Sequence, residues 1–377
     1  MSFVSSVVVA ATTLGAVVPL RPVMPAVPRA QSAPAPQIQN GRLETRAVTS
    51  LERDLPSLGG PEPVWAFWRV AMIDGERGPC STYMYSDREP VIRGELLDNG
   101  ISGTIIGNER PQITPPVGPI PLEAGTGLLI FARVVEGRVE RVRTIGDDCP
   151  VDANGRTVYA LTGVTPADSL RYLDTFTKMT GDRLSVTARR NLADSALAAI
   201  RRHRDAGADA ILDRIATSDL DSDLRRSAAT ALATSRGAHG FATVKRLVET
   251  EQVPDLRRSF VTALGQTREP GTVEALRPLL RDADARVRSQ AVFYFAQRGG
   301  PAVVPEIRKL LDTETDASVK QQAVRGLSRL PANDAVPLLI QMARNSTDPV
   351  VRKESVNSLS QSRDARAIAY LEELIKR

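Results

Sequence analysis

Residues 284–295 read Asp-Ala-Arg-Val-Arg-Ser-Gln-Ala-Val-Phe-Tyr-Phe, and variants of this stretch recur through the C-terminal half of the chain. The anchor of the stretch, Val287, is followed by a basic residue and then by apolar residues four, five and eight positions further on. Successive helical residues turn by about 100°, so this spacing places the apolar side chains on one face of a helix. Equivalent anchors stand 31 or 32 residues apart, at Leu224, Leu256, Val319 and Val351.

Each unit of this period carries two helical segments. A degenerate first copy begins near Leu192, with Ala196 and Ile200 in register. A fixed period with two amphipathic helices per unit predicts a solenoid, in which each helix pair buries its apolar face only against its neighbours. We therefore predict an α + β multi-domain chain in which residues 191–377 form an all-α solenoid of about six helix pairs. Large apolar residues stand eight positions past the anchors at Leu232, Leu264, Phe295, Leu327 and Leu359, and the second helices are predicted at 243–248, 273–280, 303–311, 336–342 and 368–375.

The pattern Asp-x-x-Val-Arg-x-x-Ala-Val-x-x-Leu, seen at 284–295, resembles the short bacterial HEAT repeat. It is most similar to the class named after phycobilisome-lyase HEAT repeats, and the resemblance covers residues from about 191 to 377. HEAT arrays, which are armadillo-like, serve mostly as binding scaffolds, so the resemblance implies that the solenoid binds a protein or peptide. It also implies an alternative, an enzyme or accessory lyase of the bilin-lyase type that uses the solenoid groove.

Residues 60–165 carry patterns typical of a β-rich domain. Strand-like runs flank Glu136-Gly137, a two-residue turn ending in glycine that predicts a hairpin. Thr165, Pro166 and Asp168 are typical of a helix start, so residues 166–190 are predicted to hold a connecting helix, to about 179, and a linker. The predicted strands are 64–72, 81–85, 91–96, 103–106, 128–135, 138–145 and, after the turn Asn154-Gly155, 157–161.

The N-terminal segment is predicted to lie outside both domains. An apolar run at 3–20 and small residues at 30–33 are typical of a signal peptide over residues 1–33. Residues 34–59 are then a Pro/Ala-rich linker, and the mature chain is expected to be periplasmic or secreted, with no integral membrane domain. Because no Lys or Arg precedes the apolar run, an uncleaved N-terminal anchor stays open as the alternative.

The chain has two cysteines, Cys80 and Cys149, both within the predicted β-rich domain. In an oxidising compartment they would form one disulfide, which contributes about 4 kcal/mol on the loop-entropy model. Their spacing fits no zinc motif, and two ligands would not close a zinc site. Two unrelated buried thiols are the alternative.

The residue after each anchor is basic and lies only about 35° from the core direction on a helical wheel. We therefore expect this row to follow the seam between repeats. Acids at the helix starts would cap backbone amides and bind the row. Phosphate or nucleic-acid binding is disfavoured, because the 49 basic and 44 acidic residues alternate along the chain. The predicted ladder consists of Asp223, Arg225, Asp255, Arg257, Asp284, Arg288, Asp316, Lys320, Asp348 and Arg352.

Two adjacent aromatic residues predict a partner contact. On the same wheel Phe293 points about 175° away from the core direction. Tyr294 occupies a position that small residues hold in the other repeats, and Arg298 precedes a Gly-Gly-Pro turn. Outward aromatics in a chain with only 4% aromatic residues indicate partner binding by Phe293, Tyr294 and Arg298. Packing against the β-rich domain or incidental exposure is the alternative, and Glu354 is expected to be a solvated reference position.

No catalytic constellation, cofactor site or metal site is expected. His203 and His239 lie near helix ends, are expected to be solvated, and stand in no metal-ligand spacing. HEAT-repeat enzymes such as deoxyhypusine hydroxylase bind iron through His-Glu pairs, and neither histidine here is followed by a glutamate. Trp65 and Trp68 are predicted to lie in the β-domain core. These observations together predict a non-catalytic interaction scaffold or adaptor of the cell envelope.

Overall fold

Both faces of the apolar run that follows Pro63 are buried, and this run forms the central strand of a sheet. The structure, a computed structural model, describes residues 36–80, 82–83, 92–93, 95–98, 125–178, 184–218 and 221–376. In chain order the strands are β1 (Ile38–Gln39), β2 (Arg42–Ala47), β3 (Val64–Ala71), β4 (Thr82–Tyr83), β5 (Ile92–Arg93), β6 (Glu95–Leu96), β7 (Gly127–Val135), β8 (Arg138–Gly146), β9 (Val151–Asp152) and β10 (Thr157–Thr162).

The main sheet has five strands in the order β2-β10-β3-β7-β8. The first three run parallel, and β7 and β8 complete the sheet in antiparallel pairing. Glu136 and Gly137 have φ angles of 48° and 72°, the left-handed conformation that a two-residue hairpin turn requires. The predicted hairpin is therefore confirmed. Two smaller sheets pair β1 and β6 with β9, and β4 with β5.

Residues 38–58 belong to the β-rich region, which corrects the linker predicted at 34–59. β2 pairs with β10 along its whole length, and a short helix, α1 (Leu51–Asp54), follows it. Val48, Leu51 and Leu55 are buried. The partner strand of β2 lies far along the chain, so no local pattern indicates the pairing. Residues 1–33, with the predicted signal peptide, and the strand predicted at 103–106 lie outside the described residues.

The main sheet separates two apolar layers. Trp65 and Phe131 lie on one face, with ring centroids 6.4 Å apart, and share a core with Cys149. Cys149 forms a disulfide with Cys80, and their Cα atoms are 5.6 Å apart. Trp68 lies on the other face, in the core that the sheet shares with the helices. Both tryptophans are buried, as the sequence predicted.

Helix α2 (Pro166–Thr177) connects the sheet to the solenoid, as predicted. Thr165 caps this helix and accepts a hydrogen bond from the backbone N–H of Asp168 at 3.1 Å. The buried carboxylate of Asp168 accepts in turn from the backbone N–H of Leu51 at 2.9 Å. Trp68 Nε1 donates to Ser169 Oγ at 2.8 Å, so the sheet and α2 are held together by polar contacts as well as apolar ones.

In the described C-terminal residues, 184–218 and 221–376, the helices form six pairs, as the period predicted. Every anchor of the repeat is buried, and so is each large apolar residue eight positions further on. The helices of the six pairs, in chain order, are α3 (Val186–Arg202), α4 (Gly207–Thr217), α5 (Ser222–Ser235), α6 (Gly237–Thr250), α7 (Pro254–Gln266), α8 (Thr272–Leu276), α9 (Ala285–Gly299), α10 (Val304–Thr313), α11 (Ala317–Ser328), α12 (Ala332–Asn345), α13 (Pro349–Ser360) and α14 (Ala365–Ile375).

The main sheet covers the first helix pair. Val142 of β8, Tyr172 of α2 and Leu192 of α3 belong to one continuous apolar core that extends along the solenoid. At the end of α3, the backbone N–H of Ile73 donates to the carbonyl of Arg202 at 3.0 Å. The sheet therefore covers the face of α3 that a preceding repeat covers in every other first helix. A solenoid needs such a cover at its terminal repeat.

Candidate interaction surface

Four of the five basic residues that follow the anchors lie partly buried between successive repeats, and Arg352 is exposed. The side chains of Arg225, Arg288 and Lys320 are only 18%, 18% and 14% exposed. Arg225 Nη2 donates to Glu251 Oε2 at 2.6 Å, and Arg288 Nε donates to Glu314 Oε2 at 2.9 Å. Both glutamates stand at the end of a second helix, just before the next repeat begins. These ion pairs therefore join the first helix of a repeat to the end of its own second helix, at the boundary with the next repeat.

The same cations bind the carboxyl ends of the preceding second helices. Arg225 Nε donates to the carbonyl of Ala216 in α4 at 3.1 Å, and Arg352 Nη1 donates to the carbonyl of Ser346 after α12 at 2.8 Å. Free carbonyls at a helix C-terminus attract positive charge, so these contacts are favourable. The remaining members of the row bind acids between repeats, Arg257 with Asp282 and Lys320 with Asp348.

Three of the predicted ladder acids cap helices. Asp284, Asp316 and Asp348 each accept a hydrogen bond at 2.8 Å from the backbone N–H two residues further on. The hydrogen bond from Arg286 lowers the pKa of Asp284 to about 2 against the opposing effect of burial. Lys320 likewise lowers the pKa of Asp348. Asp284 and Asp348 are therefore charged at neutral pH, and a negative charge at a helix N-terminus is favourable.

Two predicted ladder acids have other roles. Asp221, not Asp223, caps α5, and α7 begins at Pro254 without a side-chain cap, so Asp223 and Asp255 lie inside the first helical turn. A residue in the first turn is already helical and cannot take the cap position. Both acids bind surface arginines instead, Asp223 with Arg226 at 2.8 Å and Asp255 with Arg286 at 3.0 Å.

The predicted partner contact lies at the seam between α7 and α9. Phe293 and Tyr294 are half-buried, with ring centroids 5.2 Å apart. Tyr294 packs against Gly265 of the preceding repeat, and Arg298 Nε donates to the Gly265 carbonyl at 2.7 Å. The backbone of Phe293 lies against Gly326 of the following repeat. Tyr294 and Arg298 thus have structural contacts, and partner binding by this group stays a prediction.

Glu354, expected to be solvated, is buried in α13. Its Oε1 accepts from Arg325 Nε at 2.8 Å. Arg325 belongs to the preceding repeat, in α11, so its side chain crosses the seam and covers Glu354. The helical wheel of a single repeat does not contain this neighbouring side chain, which explains the wrong expectation.

A groove of about 630 Å³ opens between the second helices of the third and fourth helix pairs. The two second helices are both irregular at or before this groove. Pro278 lacks a backbone N–H, and around it the helix α8 continues only as a 3₁₀ segment, Arg277–Arg281. Gly300, at φ 62°, ends α9, and a further 3₁₀ segment delays the start of α10 to Val304. The sequence shows these interruptions, but the groove depends on how the two helices stack.

Charged side chains line the groove around a small apolar floor. Arg277 binds Glu274 and also reaches Glu306 in α10, where Nε and Oε2 are 3.2 Å apart. The guanidinium carbon of Arg277 lies 5.6 Å from the ring centroid of Phe295, a cation–π contact that holds it in place. The other lining residues are Pro278, Leu280, Arg281, Asp282, Arg288, Lys309, Leu310, Thr313, Glu314 and Thr315.

His203 is buried, with 1% exposure, and not solvated as predicted. Burial lowers the pKa of His203 to about 4, an effect that Asp205 opposes and Arg236 reinforces. Arg236 Nη1 donates to the His203 carbonyl at 2.8 Å. The sheet that buries His203 lies outside the repeat pattern, so the sequence did not indicate it. His239 is half-exposed, as expected, and its Nε2 lies 3.1 Å from Asp213 Oδ2.

Among the residues that the structure describes, no three or more His, Cys, Asp or Glu side chains are placed to hold a metal ion. Within the same ranges, none of the helices has the length and apolar character needed to cross a membrane.

A family model for HEAT repeats matches residues 242–328 and 304–377. Residues 242–377 consist of HEAT repeats. The matched residues run from α6 to α14, and the earlier pair α3–α4 and helix α5 precede them with the same period. The further assignment to the phycobilisome-lyase class stays a prediction.

No curated protein matches the chain. Several solved structures are similar to part of the chain at low identity. Human deoxyhypusine hydroxylase in complex with glycerol is 18% identical over 54% of this chain and 90% of that chain, with a TM-score of 0.29. The Escherichia coli protein YibA is 16% identical over 56% and 82%, with a TM-score of 0.33. Kap121p is 14% identical over 56% and 27%, with a TM-score of 0.36.

Proposed function

We propose that this chain is a non-catalytic protein–protein interaction scaffold of the cell envelope, which binds a protein or peptide partner through its HEAT solenoid. The observation that carries the proposal is the solenoid of six helix pairs whose first pair is covered by the β sheet. Because the sheet occupies that end, the sides of the helix pairs are the surface left for a partner. Stacked repeats present such a surface over many residues.

The contacts between repeats support a preformed binding surface. Partly buried cations such as Arg225 and Arg288 bind acids at the boundary with the next repeat and carbonyls at the end of the preceding repeat. The Tyr294 ring packs against Gly265 at the seam between α7 and α9. A surface that is ordered before binding loses less conformational entropy on association, which favours affinity.

Export to the envelope is the second part of the proposal. It is supported by the predicted signal peptide at 1–33 and by the disulfide between Cys80 and Cys149, since disulfides persist in oxidising compartments. Intact-mass measurement after thiol alkylation tests it on protein from the native cell. We expect loss of the N-terminal segment and no alkylation. A full-length mass with two alkylated cysteines would contradict export.

Photo-crosslinking in the native cell tests partner binding. A photoreactive residue replaces Phe293, and the matched control replaces Arg258, an exposed residue of α7 in the preceding repeat. We expect one protein to be captured at Phe293 and absent at Arg258. Identical adducts at both positions, or none at either, would count against the proposal. Bound metal or a coloured chromophore in the purified protein would favour the enzymatic alternative instead.

A further inference from the structure

One guanidinium pairs with two carboxylates of the groove. Arg277, in the 3₁₀ segment, binds Glu274 in α8 and Glu306 across the groove in α10. These hydrogen bonds raise the pKa of Arg277, so its positive charge is retained at any physiological pH. Both glutamates therefore already have a cationic partner, which they share.

The acids deeper in the groove each have a guanidinium of their own. Glu314, whose side chain is 8% exposed, accepts from Arg288 Nε at 2.9 Å and from Arg288 Nη2 at 3.1 Å. Asp282 binds Arg257 of α7, the first helix of the same pair. Every carboxylate that lines the groove thus has a guanidinium partner.

Two cations of the groove are left over. Arg281, at the end of the 3₁₀ segment, and Lys309, in α10, are both exposed. Neither has a hydrogen bond or an ion pair with any acid of the described residues. They stand on the two second helices that form the walls, with Leu280 and Leu310 also lining the space. Each wall of the groove therefore presents one cation that has no acidic partner among the described residues, beside apolar surface. Because Arg277 is shared by two carboxylates, the groove together with Arg257 carries a small net positive charge.

We propose that this groove binds a short extended peptide segment that carries carboxylate side chains and interspersed apolar side chains. The inference rests on the proposed scaffold function and names the chemistry of its partner. The volume of about 630 Å³ lies within the range of roughly 300–1,000 Å³ typical of small-ligand sites, so it takes a few side chains only. Carboxylates of the partner pair with Arg281 and Lys309, and its apolar side chains contact Leu280 and Leu310.

A nucleic-acid strand fits the groove less well. A polyphosphate backbone places a negative charge at every nucleotide, whereas the groove has only Arg281 and Lys309 to offer beside the paired carboxylates of its walls. A peptide can space its carboxylates to meet two cations and leave uncharged residues opposite the acids. The distribution of charge therefore favours the peptide.

Fluorescence anisotropy with the full chain tests the inference. The probe is a fluorescein-labelled peptide of alternating glutamate and leucine, and the matched probe has lysine in place of glutamate. We expect the acidic probe to bind and the basic probe not to bind. The double variant Arg281→Glu with Lys309→Glu should weaken binding of the acidic probe by at least about tenfold. The neutral pair Arg281→Gln with Lys309→Gln should give a smaller loss.

A matched control separates the groove from net charge. Arg258→Glu with Lys353→Glu changes the charge equally, at exposed positions that do not line the groove, and should alter affinity by less than about twofold. All four substituted side chains are exposed, and circular dichroism and urea midpoints check that each variant folds. Equal losses in the groove and control variants, or no binding of the acidic probe, would overturn the inference. Tighter binding of single-stranded DNA, lost in the groove variant alone, would replace the peptide with a nucleic acid.

Photo-crosslinking of the groove variant distinguishes the peptide site from the scaffold function. If a chain carrying Arg281→Glu and Lys309→Glu still captures its partner at Phe293 with undiminished yield, the groove is not the binding site and the scaffold proposal stands. If no partner is captured by the unmodified chain while the acidic probe binds the groove, the peptide site stands without the envelope partner.

Discussion

Gly265→Ala is expected to destabilise the solenoid, although alanine is the better helix former. Gly265 lies near the end of α7, where an added Cβ would stand 2.1 Å from Tyr294 Cγ and 2.5 Å from Tyr294 Cδ1. Non-bonded carbon atoms prefer about 3.5–4.0 Å. Because Cγ is close to the backbone of Tyr294, the ring cannot swing aside unless α9 moves away from α7.

The size of the effect follows from two opposing contributions. Replacing glycine by alanine inside a helix gains up to about 1 kcal/mol. Forcing an extra carbon into a packed seam costs about 1–3 kcal/mol. The net result is a loss of up to about 2 kcal/mol of unfolding free energy in the natural background. In a Tyr294→Ala background the ring is gone, and the same Gly265→Ala change should stabilise by about 0.5–1 kcal/mol.

Urea denaturation followed by far-ultraviolet circular dichroism measures the four proteins of this double-mutant cycle. We expect Gly265→Ala to lower the midpoint in the natural background and to raise it in the Tyr294→Ala background, a coupling of about 1–3 kcal/mol between the two positions. If Gly265→Ala raised the midpoint equally in both backgrounds, Tyr294 would not pack on Gly265, and the stacking of α7 against α9 would be wrong.

Three further changes test other parts of the structure. Leu264→Ala, at a fully buried position, should cost about 2–5 kcal/mol in urea titration, and a loss well under about 1 kcal/mol would contradict the repeat register. His203 has a pKa of about 4 in the folded chain against an ordinary 6.5, so the unfolded chain takes up the proton first as the pH falls. Its contribution, roughly 3 kcal/mol, is present above pH 6.5 and lost by about pH 4. His203→Gln should therefore lose less stability than the natural chain between about pH 7 and about pH 5; unchanged acid sensitivity in His203→Gln would refute this. Cys80→Ser should lower the stability of the β-rich region by about 4 kcal/mol, and equal urea midpoints with and without the disulfide would contradict that.

The solenoid could be predicted from the sequence because its contacts are local. Each repeat packs only on its neighbours, so the apolar positions of one 32-residue unit repeat in the next. Leu232, Leu264 and Phe295 are fully buried where the period placed them. The hairpin at Glu136-Gly137 could also be predicted, since its turn and its two strands are adjacent in sequence.

The errors concern contacts between distant parts of the chain. β2 pairs with β10, which follows it only after most of the β-rich region, and a Pro/Ala-rich composition nearby concealed it. His203 lies against the β region, where its backbone forms an antiparallel β-bridge with Met72. Glu354 is covered by Arg325 of the adjoining repeat. In all three cases the partner lies outside the segment whose pattern was interpreted.

The candidate interaction surface could be predicted from the sequence only in part. The row of basic residues after the anchors lies at the seam, where the helical wheel placed it, but most of its acidic partners stand in the loops between repeats. Long helical side chains lean towards the helix N-terminus, so Arg288 reaches Glu314 in a loop rather than an acid of its own first turn. The groove beside Lys309 depends on the stacking of two interrupted helices, which the sequence alone does not specify.

The most direct test of the central claim is a photo-crosslinking scan of the full chain in the native cell. Probes at Phe293 and Lys309 report on the HEAT solenoid, and probes at Leu43 and Arg138, which are 48% and 46% exposed, report on the β sheet. If the solenoid is the binding scaffold, the same protein is captured from the solenoid positions and from neither sheet position. Adducts confined to Leu43 or Arg138 would place the interaction on the sheet and contradict the account.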